Sequence, residues 1–222
     1  MMNFLIGPFL EWVPRIFSWV IFFLAVFFYF KYHGERAAER KKIFHTLIFI
    51  SIIFAFLYTS FLAWGQYYVW SQDQFSQSFL ATSLPKDIPV PLVESLPGVF
   101  HASSGYFIFY SLQHFWFPFV LNVLIAFVFF WFLGTLKKYN GRFFEEGETE
   151  LGFLLSLLVG WPIFLVFLPL AFLCVILVSI VKTAFFKERY TTLGVPFLLG
   201  AFVALALAPW LLSTPFFLSL TL

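Results

Sequence analysis

The residues best equipped for chemistry are acids. Glu145, Glu146, Glu148 and Glu150 straddle Gly147 within six positions. Two carboxyl groups facing one another in an apolar site cannot both ionise cheaply, so such a pair shares a proton and can activate a water molecule. The same pattern also reads as helix-start chemistry, with first-turn acids facing the positive end of a helix dipole and a glycine making the turn. That reading is favoured because first-turn acids are common. Histidines offer less: His33 and His45 lie 12 apart, and His101 and His114 lie 13 apart, with no HxxxH or Cys/His spacing to support haem or metal ligation. Interfacial histidines satisfied by water or carbonyls are the expectation. Cys174 is the single cysteine, which excludes a disulfide framework and a cysteine-based metal site. No cofactor and no metal is expected.

The elements that must position these residues follow from composition. The chain has 222 residues, 62% hydrophobic, 24% aromatic and 11% charged, where a soluble domain is about 25% charged. That excludes a soluble globular protein. A net charge of +2 without a long basic run gives no grip on a phosphate backbone, so nucleic acid is not an expected partner. The uncharged intervals run 16–30, 43–72, 95–136, 151–181 and 190–222, and they are the candidate membrane spans. Every Asp, Glu, Lys and Arg then falls in a loop or at a span end, which disfavours a pump or ion exchanger and leaves a transporter third among the functional readings. Residues 1–14 have neither a basic n-region nor a small-residue cleavage site, so they read as an interfacial lead-in and not a secretory signal peptide. Residues 71–104 carry Pro85, Pro89, Pro91, Pro97 and Gly98 among Gln, Ser and acids, which is the composition of a loop. Pro118 is expected to kink the third span.

The interval 151–181 decides the topology. As one helix its 31 residues would be about 46 Å long, well beyond a hydrocarbon core of ~30 Å. Gly160-Trp161-Pro162 is expected to break it into a short arm over 151–159 and a full helix over about 163–181. If this hairpin returns to its starting side, eleven basic residues face one side and two, Arg15 and Lys86, face the other. That split is a positive-inside signal, placing 31–42, 137–150 and 182–189 in the cytoplasm and both termini outside. The expected fold is all-α: one membrane-embedded domain over 1–222, a polytopic helix bundle of about six membrane segments including the short-arm hairpin, with 71–104 an extracytoplasmic loop. Gly200, Ala204 and Ala208 form a strip of small residues suited to close helix packing.

Three short motifs now fall into order. Gly147-Glu148-Thr149-Glu150-Leu151 opens the arm, Val159-Gly160-Trp161-Pro162 lies at its top, and Leu193-Gly194-Val195-Pro196-Phe197 opens the last span. Together they resemble the C-terminal half of the type IV prepilin peptidases, membrane aspartic peptidases in which a Gly-x-Gly-Asp motif starts such an arm. The resemblance covers about 145–210, within a peptidase-like part of about 105–213. It implies that Glu148 stands where the family has a catalytic aspartate and Glu145 where it has the first glycine. The family's second aspartate has no counterpart. Glu35 and Glu39 are the acids on the matching side, and Glu148 with Glu35 or Glu39 would form the catalytic pair of an active enzyme. The resemblance therefore implies either a divergent endopeptidase using glutamates or a pseudoenzyme that keeps the fold without the activity, in an inner (plasma) membrane. On the second reading, Glu148→Gln is expected to leave folding intact and to remove no proteolysis. Expected partners are membrane lipid, other membrane proteins and a prepilin-like helix. A non-enzymatic scaffold or assembly subunit is the alternative from another class.

Overall fold

The computed structural model describes residues 3–32, 37–85, 91–139, 141–186 and 192–220, and no strand occurs among them. The helices are α1 (Asn3–Lys31), α2 (Ala37–Gln72), α3 (Gln74–Leu80), α4 (Pro91–Ser95), α5 (Pro97–Phe100), α6 (Gly105–Ser111), α7 (Phe117–Tyr139), α8 (Glu148–Val159), α9 (Phe164–Val181), α10 (Gly194–Leu211) and α11 (Pro215–Leu218). Five continuous stretches are long and apolar enough to cross a bilayer: Trp12–Lys31, Ala38–Gln72, Gly105–Tyr139, Phe164–Phe185 and Gly194–Leu211. The chain is thus an all-α, multi-pass membrane protein, with α8 as a sixth, shorter segment.

By packing, Met1–Ile53 with Asn122–Thr221 form one compact unit and Phe54–Leu121 another. In the second, the stretch that reads as a loop in sequence contains short helices set by local caps. Asp73 caps α3, its carboxylate accepting from the Ser76 N–H at 2.9 Å and the Ser76 hydroxyl at 2.8 Å. These donors hold that carboxyl below its usual range. Leu84, Val93 and Phe100 form a small core beneath α6. α6 and α7 are joined by a wide π turn over Leu112–Trp116, just before Pro118, which cannot donate a main-chain hydrogen bond.

The first unit is built around α8. At 12 residues it is about 18 Å long, too short to cross a core of ~30 Å. All of its residues except Leu157 are buried, so it is a central post walled by other helices and not a surface arm. Phe129 of α7, Phe167 of α9 and Phe197 of α10 pack ring against ring nearby, with Phe129 centroids 6.1 and 6.0 Å from the other two. The small-residue strip does its expected work, since a Cβ on Gly200 would lie 2.8 Å from the Ala171 Cα of α9.

The chain leaves α8 at Gly160, turns through a cis Trp161–Pro162 peptide and enters α9. Main-chain groups freed by this break need partners at membrane depth. Asn122 of α7 donates its side-chain N–H to one of them, the Leu157 carbonyl, at 3.2 Å; the Trp161 indole in the turn donates separately to the Leu220 carbonyl beyond α11, at 3.0 Å. After α9 and a π turn over Lys182–Phe186 the chain returns to the level of Glu148, because the first residues of α10 bond that side chain. The hairpin thus begins and ends at one end of this unit.

Candidate functional site

Gly147 starts the site. Its φ of +87° is a left-handed conformation that glycine adopts without strain, and it turns the chain into α8 with Glu148 as the first helical residue. The Glu148 side chain is fully buried and does more than face its own helix dipole. Oε1 accepts from the Tyr29 hydroxyl of α1 at 3.0 Å and from the Gly194 N–H at 2.9 Å. Oε2 accepts from the Glu145 N–H at 3.0 Å and the Leu193 N–H at 3.2 Å. A carboxylate has about four lone-pair sites, and each finds a donor from the chain itself. Two of the donors lie at the start of α10, whose positive dipole end favours an anion. Because three partners are main-chain N–H groups that only donate, the ionised form is the one this cradle fits.

Close approach makes the cradle possible. Gly194 lies so near the Tyr29 ring and hydroxyl that a Cβ there would overlap them. Phe197, one turn further on, is buried against the core beneath. The resemblance to a peptidase motif singles out Gly194 only as part of a span opening; in the structure it is a main-chain donor pressed against a tyrosine.

The other acids have separate assignments. Arg40, in the first turns of α2, is fully buried, and its guanidinium lies 4.9 Å from the Tyr29 ring centroid. Its Nη2 bonds the Glu145 carboxylate at 3.0 Å and its Nε donates to the Glu146 carbonyl at 3.0 Å. The third nitrogen, Nη1, is buried and has no acceptor among the described residues. Lys41 pairs with Glu150 at 3.4 Å. The basic run 40–42 and the acidic run 145–150 are therefore joined across helices, one ion pair buried at its arginine and one at its glutamate.

Of the acids implied as catalytic partners, Glu39 is exposed in the first turn of α2, and among the described residues no hydrogen bond or ion pair links it to Glu148. Glu35 lies outside the described residues. Among the described residues the only acid contacting the Glu148 carboxylate directly is Glu145, and it does so through its main-chain N–H while its own carboxylate is held by Arg40. The described histidines bond or stack on their own segments: His45 bonds the Lys41 carbonyl at 2.9 Å, His101 bonds the Leu84 carbonyl at 3.0 Å, and His114 stacks on Tyr110 at 4.2 Å, while His33 lies outside the described residues. Among the described residues no three His, Cys, Asp or Glu side chains gather to hold a metal ion.

The geometry can hold one carboxylate still, in a fixed orientation, between α1, α8 and α10. It offers that carboxylate no open lone pair for a water. Compared with family models, with curated proteins and with solved structures, the chain finds no match.

Proposed function

We propose that this membrane protein is a non-catalytic scaffold of prepilin-peptidase-like architecture, in which the acid at the position of a catalytic aspartate has become a structural joint. One observation carries the reading: four donors from within the chain occupy the Glu148 carboxylate. A carboxylate that activates water must bond that water. With its oxygens taken, and with Glu145 engaged by Arg40, the pair that aspartic-type hydrolysis requires is not assembled among the described residues. The work left to such a fold is contact, holding a membrane-inserted helix without cutting it. The test is incubation of the purified protein, reconstituted in liposomes, with a prepilin-type substrate. No cleavage is expected from the wild type or from Glu148→Gln. Cleavage by the wild type that disappears in Glu148→Gln would restore the peptidase reading.

The same proposal places the loops 31–42, 137–150 and 182–189 in the cytoplasm of a cell whose inner membrane holds the protein. Support comes from the eleven-to-two division of basic residues and from the hydrogen bonds that bring Tyr29, Glu145, Glu148 and Gly194 to one end of the first unit. Single cysteines introduced in these three loops, in a Cys174→Ala background, should react with a membrane-impermeant maleimide only after the cells are opened. Labelling of the 182–189 loop in intact cells would reverse the assignment.

A further inference from the structure

At the other end of the first unit from Glu148, a cavity of about 240 Å³ lies between α1, the end of α8 with its following turn, and the second half of α10. Arg15 lines it together with Trp12, Ser18, Leu158, Trp161 and Leu205. Arg15 is half-buried; its guanidinium rests 5.5 Å from the Trp12 ring centroid and has no hydrogen bond or ion pair among the described residues. Among the described residues its five N–H donors thus have one aromatic ring for company, in a largely apolar cavity. Ser18 stands three residues on, on the same helix face.

The depth of the cavity is set by helix geometry. Arg15 precedes Tyr29, beside Glu148, by 14 residues, or about 21 Å along α1. Leu205 follows Gly194 by 11 residues, or about 16 Å along α10. Within a hydrocarbon core of ~30 Å the cavity therefore runs from mid-depth, at Leu158 and Leu205, toward the interface remote from Glu148, where Arg15 and Trp12 sit.

We propose that this cavity is a phospholipid site, with Arg15 binding the head-group phosphate and one acyl chain filling the apolar end. A guanidinium takes a phosphate through two parallel charge-assisted hydrogen bonds, which gives the unspent donors of Arg15 their acceptor. The apolar end offers nothing to a free inorganic anion. A partner helix about 10 Å across does not fit the space, whereas an acyl chain does.

The test uses the purified full-length chain in detergent, titrated with dioleoylphosphatidylglycerol and read by native mass spectrometry. The wild type should retain one lipid, and Arg15→Gln should weaken that binding about tenfold, as expected for loss of a charge-assisted hydrogen-bond pair. Dioleoylglycerol, with the same chains and no phosphate, should bind both proteins weakly and alike, and inorganic phosphate should not compete. Ser18→Phe keeps the charge, fills the cavity and should also lose the lipid, which decides the matter if Arg15→Gln fails to fold. Lys31→Gln, removing a cation from the opposite end of α1, should bind as the wild type does. Equal binding by wild type, Arg15→Gln and Ser18→Phe overturns the proposal. Loss in Lys31→Gln as large as in Arg15→Gln also overturns it, showing general interfacial charge and no site.

Discussion

Glu148→Ala should destabilise the protein by about 3–5 kcal/mol, since a single buried donor losing its acceptor costs about 1–3 kcal/mol and four lose theirs together. The side chain removed is an acceptor, and what remains are four donors that lose it together: the Tyr29 hydroxyl and the N–H groups of Glu145, Leu193 and Gly194. Water cannot readily replace it, since Glu148 is fully buried and Leu193 and Gly194 are buried with it. Glu148→Gln, expected from the sequence to leave folding intact, should still carry a measurable cost in this geometry. A glutamine amide accepts at one oxygen only, and its NH₂ would confront either the Glu145 and Leu193 N–H groups or Gly194 and Tyr29. Its cost should be about 1–3 kcal/mol, one unpaired buried group's worth. Tyr29→Phe removes a single donor and leaves three in place, so about 1 kcal/mol is expected. Thermal unfolding in detergent, followed by circular dichroism, should rank the variants in that order. An alanine variant as stable as the wild type would show that the carboxylate joins nothing.

Much of the fold was legible because it depends on features that single residues announce. Proline lacks an N–H, so Pro162 marks the break between α8 and α9. Uncharged intervals mark the spans, because charge is costly in hydrocarbon. The short helices of 74–100 were less visible, since they depend on a local cap at Asp73 and a proline start at Pro97 within a composition that reads as loop.

The site was legible only in part, because its chemistry is carried by partners that composition does not mark. Two of the Glu148 donors are main-chain N–H groups at 193 and 194, and any residue but proline carries one. Tyr29 reads as one more aromatic in a phenylalanine-rich span until its hydroxyl is seen against the carboxylate. Asn122 is one of two side-chain amides, with Gln113, in an uncharged interval, a signal present in the sequence that gains meaning only when the Leu157 carbonyl faces it. Arg40 and Lys41 count toward the positive-inside division, but counting charges does not pair them. The available clue was two runs of opposite sign, 40–42 and 145–150, assigned to one side of the membrane.

Arg40→Met should cost about 2–3 kcal/mol, below the roughly 3–5 kcal/mol for breaking a fully buried ion pair, because the Glu145 left behind is 30% exposed and water can reach it. Methionine keeps most of the volume packed over Tyr29, so the loss reports the guanidinium and not a cavity. Lysine should not rescue it. Arg40 reaches two acceptors from one planar fork, the Glu146 carbonyl and the Glu145 carboxylate, while lying against an aromatic ring, and an ammonium group cannot take all three positions at once. The partner variant, Glu145→Gln, separates the contributions. If the ion pair carries most of the stability, Arg40→Met should cost markedly less in the Glu145→Gln background than in the wild type, a coupling measurable as a double-mutant cycle. Equal cost in both backgrounds would place the contribution of Arg40 in the Glu146 carbonyl and the Tyr29 ring instead. In that case the α1–α2 corner is held by main chain and aromatic packing, and the acid at 145 serves the site only through the N–H it gives to Glu148.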